Sequence, residues 1–356
     1  MSSFVGPLQQ FTTDLSSVEQ AAIPYVQPVS TQGGALWMRQ WSLLLTKGVP
    51  AGQPKQSLDL SPLNIEFTID VPVGPRRSCV ITVRNLGLDQ MAGIAKEYNW
   101  VTLTAGYVSQ SYKIFDGPIS WFARGRESPT DTSLEIHGNE YDTEINTSAI
   151  SVTLPAGSND YDKMQACITA MNDAGSGNNI QLGYVSPSID QSQTPRSQAL
   201  FGSPRDVLRD IAQKNNASWH VADGKLNMVA QGDALNTGSA VVLNSKTGLI
   251  GTPRLTFQGG ISGTCLLNGN ITKHGLIQLN EQDINQQVQA SSTGLPPGLA
   301  QTPEEAQMMA LPAQIAWNGI YTVLSLKHRG NNRSQEWYTD FQTEAPGNIA
   351  AMVPKI

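Results

Sequence analysis

Several groups of residues carry side chains that could do chemistry. His137, Glu140 and Asp142 set an imidazole and two carboxylates close together, the donor types of a zinc or similar divalent site. They fall where a strand is expected to end, and a solvated polar turn explains them more simply. Asn159-Asp160-Tyr161-Asp162 is rich in oxygen donors, as a calcium loop is, but the remaining ligands of such a loop do not follow. Glu304 and Glu305 offer the two carboxylates that hydrolases use. Adjacent residues face apart, however, and Thr302-Pro303-Glu304-Glu305 reads better as a capped helix start. Cys79, Cys167 and Cys265 are few, odd in number and far apart, so each is expected to be a reduced core residue rather than a ligand or nucleophile. His220 beside Trp219 is expected to be a plain strand residue. Tyr107 and Tyr112 are expected to pack beside a hairpin rather than stack on sugars. A Gly-x-Ser-x-Gly elbow, a phosphate loop and a His-Glu-x-x-His pair are all missing from the sequence. The expectation is a protein that is not an enzyme, with no catalytic, metal or cofactor-binding residue and no cofactor.

The elements that must position these residues follow from hydrophobic periodicity. Residues 1–35 are polar and aperiodic and read as an arm. Trp37, Trp41, Leu43 and Leu45 then mark one face of a strand, ended by the Gly/Pro/Gln stretch 48–56. Ile65, Phe67 and Ile69 alternate with polar residues, and Cys79, Ile81 and Val83 repeat the pattern after Pro72-Val73-Gly74-Pro75. Residues 86–96 place Leu88, Met91, Ile94 and Ala95 at helical spacing. Val101, Leu103 and Ala105, then 114–122, then Leu134 and Ile136 return to a period of two. Six strands and one helix read as a small barrel or sandwich.

After residue 150 the texture changes. Tyr161, Met164, Ile168 and Met171 form one helix face, with Asp160 and Asp162 in its first turn and Gly175 and Gly177 after its end. Ser203-Pro204-Arg205-Asp206 opens a second helix with Val207, Leu208 and Ile211 as its buried stripe. Asp223-Gly224 between alternating apolar residues is a hairpin signal. Strands are expected again at 241–243, 254–257, 264–267, 277–279, 321–327 and 337–342. Between them, 280–316 is a long Gln/Ser/Pro/Ala stretch that suits an interface element.

Composition narrows the class. The 356 residues suit more than one domain, and charged residues make up only 15%. Gln, Asn, Ser, Thr and Gly take the place of charge, which suits strands and broad polar contacts. A net charge of -6 argues against a nucleic-acid-binding surface. No basic residue precedes Arg39 and no continuous apolar run follows the start, so no signal peptide is expected, and the sequons at Asn146, Asn216, Asn270 and Asn332 would carry no sugar. No stretch reaches the apolar length of a membrane helix.

The ordered motifs resemble a known family. Asn85-Leu86, Val101-Thr102-Leu103-Thr104-Ala105-Gly106-Tyr107 and Ile114-Phe115-Asp116-Gly117-Pro118-Ile119 are similar to the first barrel of phage baseplate hub proteins. Gly202-Ser203-Pro204, Trp219-His220-Val221 and Asp223-Gly224-Lys225-Leu226 resemble their middle module. Ile250-Gly251-Thr252-Pro253, Asn318-Gly319-Ile320-Tyr321-Thr322-Val323 and Glu336-Trp337-Tyr338-Thr339 resemble their closing barrel. His274-Gly275 with Asn268-Gly269-Asn270 departs from a Pro-rich turn in that family.

The resemblance implies a mainly β fold: two tail-tube-like β-barrels joined by a small α/β module. The segments would be an arm 1–35, a first barrel 36–150, the module 151–235, a second barrel 236–345 and a tail 346–356. It implies a structural hub subunit, a homotrimer forming a pseudo-six-fold ring between the hexameric tail tube and the trimeric spike. Expected partners are other copies of the chain, the tail tube protein, the central spike protein, and other baseplate or tape-measure proteins. DNA is met only in transit and no membrane is entered. The expected place is the virion tail baseplate, after assembly in the host cytoplasm. A ring wall that DNA must pass is expected to be acidic or neutral. The alternatives are a tail-associated peptidoglycan hydrolase, which needs a carboxylate pair or zinc set, and a carbohydrate-binding tail-tip module, which needs loop aromatics beyond Trp317.

Overall fold

A computed structural model describes residues 27–29, 36–47, 56–126, 128, 130–174, 179–235, 239–255, 260–279 and 319–344. Most of the expected arm, the stretch 48–55, Gly175, Gly177, Phe257, the segment 280–316 with Glu304 and Glu305, Trp317, Asn318 and the tail 346–356 lie outside the described residues.

A short strand, β1 (Gln27–Val29), precedes the first half of the fold. That half runs β2 (Arg39–Thr46), β3 (Ser57–Asp59), β4 (Asn64–Val71), β5 (Ser78–Arg84), α1 (Leu88–Glu97), β6 (Trp100–Tyr107), β7 (Gln110–Arg126) and β8 (Thr132–Asn139). Every second residue of β4 and β5 is buried, so Ile65, Phe67, Ile69, Cys79, Ile81 and Val83 share one face. Met91 and Ile94 of α1 close over the same core. Trp37 and Met38 do not continue β2 as their alternation suggests. Met38 adopts φ 56°, which breaks the extended run, and both side chains are exposed. Leu86 is buried ahead of the helix rather than in it, and Leu88 is exposed at its first turn.

The middle of the chain forms α2 (Asp142–Asn146), β9 (Ile150–Leu154), α3 (Asp160–Ala174), β10 (Gln181–Val185), β11 (Gln198–Gly202), α4 (Pro204–Lys214), β12 (Ala217–Ala222) and β13 (Lys225–Ala230). β10, β13 and β12 make one small sheet, and β9 pairs with β11 as a separate ribbon. Asp223 and Gly224 take φ 49° and 76°, the positive values that a tight hairpin turn requires between β12 and β13. Met164, Ile168 and Met171 of α3 meet Leu208 and Ile211 of α4 in a core of their own. Tyr161 is left half-exposed. The Ser203 hydroxyl makes no capping bond, so α4 relies on Pro204 at its first turn and on the Ser203 carbonyl, which accepts from Asp206 and Val207.

The last part holds β14 (Ser239–Leu243), β15 (Leu249–Leu255), β16 (Ile261–Leu266), β17 (Leu276–Leu279), β18 (Ile320–Asn331) and β19 (Trp337–Glu344). Its core includes Ile261, Cys265, Ile277, Tyr321, Val323 and Phe341. β18 joins the two halves. Its start pairs with β17, its end pairs with β4, and its other side pairs with β19. The fold is thus mainly β, as expected, but among the described residues no barrel closes. The edge of β18 that would have to close the second half is hydrogen-bonded to β4 instead, and in the large sheet β1, β3 and β15 each keep one neighbour among the described strands. The cores are shared in the same way: Trp337 and Leu267 pack into the first, and Val71 into the second.

Candidate functional site: a polar sheet face and a three-way junction

The β18–β4 pairing makes one wall of β7, β8, β5, β4, β18, β19 and β16. Strand side chains alternate between faces, so the core residues on one side fix what stands on the other. Rows of directly paired residues run from β8 to β16, and one of them reaches β7. One row reads Asn139, Ser78, Asp70, Lys327, Asp340, Thr264. The next reads Trp121, His137, Val80, Thr68, Arg329, Tyr338, Leu266. The face is mostly polar, and its cations meet carboxylates from neighbouring strands. Lys327 lies 3.4 Å from Asp70, Arg329 2.8 Å from Asp340 and 3.2 Å from Glu336, and Arg84 2.9 Å from Glu66. Arg254 of β15 stands at the rim of an open groove of about 890 Å³ on this face. Such a face has little net charge to hold a polyanion.

The second feature is the turn between β4 and β5, residues 72–77, where all three parts of the chain meet. Lys273 is buried and its ammonium donates to the carbonyls of Pro72, Val73 and Gly74 at 3.0, 2.6 and 2.7 Å. Burial lowers its pKa to about 8. From the middle module, the Val221 N–H donates to the Pro75 carbonyl at 3.1 Å. His274 stacks on His220 at 5.1 Å and meets the Ser218 hydroxyl at 3.0 Å. Arg76 pairs with Asp142, and Arg77 with the buried Glu140 at 3.4 Å. Burial raises the Glu140 pKa to about 7, and the Arg77 charge opposes that rise only partly.

This geometry disperses the candidates for chemistry. His137 stacks on Trp121 at 3.6 Å on the polar face, while Glu140 and Asp142 serve the junction arginines. Among the described residues no group of three metal-ligating side chains assembles. Asn159 and Asp162 exchange reciprocal 3.0 Å bonds between backbone and side chain at the start of α3. Asp160 turns inward between Lys163 and Lys214, each at 3.0 Å, which hold its carboxyl below the usual range despite burial. The three cysteines are free and buried, and burial pushes the Cys79 and Cys167 thiols up to about 12.

Tyr107 is buried, and the Tyr112 hydroxyl accepts a 2.8 Å bond from Asn270. A Cβ on Gly269 would stand 2.4 Å from the Tyr112 side chain, so the Asn268-Gly269-Asn270 turn needs glycine there. Lys273 and Arg77 carry the junction, and neither stood out in the sequence. The available signal was a lone lysine inside a run of turn residues. Apolar side chains also remain on the surface: Trp37, Met38 and Val108, tied by a 2.9 Å bond from the Val108 N–H to the Met38 carbonyl, and Phe201, 87% exposed on the β9–β11 ribbon.

The fold is that of phage tail proteins. The 43 kDa tail protein of prophage MuSo2 from Shewanella oneidensis superposes with a TM-score of 0.53 at 8% identity, over 86% of this chain and 98% of that one. A tail protein from Neisseria meningitidis MC58 superposes with a TM-score of 0.52 at 10% identity, over 88% and 98%. No family model matches the sequence, and no curated protein matches it significantly.

Proposed function

We propose that the chain is a structural, non-catalytic subunit of a phage tail baseplate hub. Three copies form a ring, with 36–150 and 236–345 as two tube-like β-domains per copy and 151–235 as the α/β module beside them. Two similar domains in each of three subunits give a pseudo-six-fold ring, which matches a hexameric tail tube on one side and a three-fold spike on the other. The edges at β3 and β15 are completed by neighbouring copies, since an unpaired strand edge favours further pairing. The polar wall faces the channel through which DNA passes. Other baseplate or tape-measure proteins contact the outside, and the protein works in the virion after assembly in the host cytoplasm.

The observation that carries this reading is the wall itself: it runs unbroken through both halves by way of β18 and β4, and its main cations are paired. Resemblance of most of the chain to two tail proteins supports the same role. Native mass measurement of the purified chain, with and without its tail partners, is the test. A trimer is expected; a monomer at high concentration and inside particles alike would overturn the ring.

A further inference from the structure

At the three-way junction lies a cavity of about 330 Å³, lined by the 74–77 turn, by His220 and its neighbours on β12 and β13, and by Lys273. Its charge is lopsided. Arg76, Arg77, Lys225 and Lys273 line it, against Asp223 alone. Asp142 and Glu140, which do not line the cavity, pair with the two arginines, and Lys273 rests on carbonyls, so its charge meets no carboxylate among the described residues.

His220 supplies an independent observation. It is 3% exposed, and its Nδ1 has no partner among the described residues. The Asn227 side-chain oxygen accepts from the Tyr184 N–H at 2.9 Å, so its amide nitrogen is the group that faces His220 Nε2 at 3.4 Å. Nε2 is therefore the acceptor, and Nδ1 carries the hydrogen. A buried N–H donor is thus left unmet beside a cluster of cations. Burial first, and then the charges of Lys273 and Arg77, keep this ring neutral, consistent with a positive potential in the cavity. An unpaired buried donor is costly, and an anion accepting from it would relieve both the donor and the charge.

We propose that this cavity binds an oxyanion, which accepts from His220 Nδ1 and neutralises the Lys273 side of the junction. The volume accommodates a phosphate-sized ion with water. The oxyanion comes from the medium or from an acidic side chain of a neighbouring protein, and binding locks the middle module to both β halves. The inference does not depend on the hub assignment.

The test is thermal unfolding of the full chain in sodium phosphate, sodium acetate and sodium chloride at matched ionic strength and pH. A specific ion at about ten times its Kd should raise Tm by about 2 °C. That rise should be saturable, and it should be lost in Lys273→Met and weakened in Lys225→Gln, while the surface control Arg209→Gln keeps it. Lys225 is exposed, so its variant remains readable even if Lys273→Met fails to fold. A rise with phosphate alone points to a free ion, and a rise with acetate as well points to a protein carboxylate. Equal Tm in all three salts, as a cavity filled only by water would give, overturns the proposal, as does a phosphate effect that Lys225→Gln and a foldable Lys273→Met leave unchanged.

Discussion

In the first half of the molecule, hairpins join several successive strands, and the longer-range β2–β6 and β5–β8 pairings stay within the half. β4 pairs with β5, β6 with β7 and β7 with β8, each across a short connection. In the second half, β18 finds β4 across most of the chain, and β19 sends Trp337 into the core of the first half. Hairpins, β18–β19 among them, fix register through local turns, whereas the β18–β4 pairing is held by what the two strands pack against. The halves therefore differ in autonomy: the first has hairpin-built strands of its own, yet its core is completed from outside. The second cannot be cut away without removing part of that core.

Trp337→Ala should break this coupling most severely. The ring is 1% exposed, packs edge-on to Phe67 at 5.3 Å and Trp41 at 6.3 Å, and donates to the Gly106 carbonyl at 3.2 Å. A loss of about 3–5 kcal/mol is expected from such a truncation. In denaturant, signals from both halves should shift together. If probes in the first half keep their midpoint, the halves are independent and the shared core is unimportant.

Arg77→Met probes the junction rather than the wall. Removing one partner of a buried ion pair leaves Glu140 without its cation, at a cost of up to about 3 kcal/mol at pH 8, where the carboxyl is mostly ionised. The loss should shrink in acid, where Glu140 is protonated. Equal destabilisation at pH 5 and pH 8 would mean that the Glu140 charge is irrelevant.

Glu140 also gives a signed pH dependence. Its folded pKa is raised to about 7 from 4.5. The group's contribution is thus fully present below pH 4.5 and is lost as pH rises through 7. The difference in stability between the wild type and Glu140→Gln should change across that window and level off above it. A difference that is flat with pH would contradict the raised pKa.

The smallest effect on stability is expected at Trp37→Ser and Phe201→Ser, within about 0.5 kcal/mol, because both side chains are exposed. Particle yield should fall if these aromatics meet neighbours, and complementation with variant chains measures it. Unchanged yield would leave the apolar surface without a role in assembly.

Much of the β architecture could be read from the sequence because one buried face imposes a period of two. Ile65-Phe67-Ile69 and Cys79-Ile81-Val83 are cases, and Asp223-Gly224 gave its turn through the conformation it demands. The joining of the halves was not legible. Nothing local tells β18 to pair with β4, and the expected pair of barrels came from the family resemblance, which carries no information on that pairing. Trp37 looked like a strand residue because alternation alone does not report the positive φ of Met38. The junction escaped because Lys273 finds its partners among backbone carbonyls, which leave no pattern in side-chain types. The candidate metal trio failed for a related reason: neighbours along a strand end point to different environments, so His137 reaches Trp121 while Glu140 turns into the core.

Electron cryo-microscopy of tails that carry this chain tests the central claim most directly. A ring on the tail axis between tube and spike is expected, with the face bearing Asp70, Lys327, Arg329 and Asp340 turned to the channel. A chain placed at the baseplate periphery, or a ring whose channel is lined by another surface while this wall is buried between proteins, would contradict it.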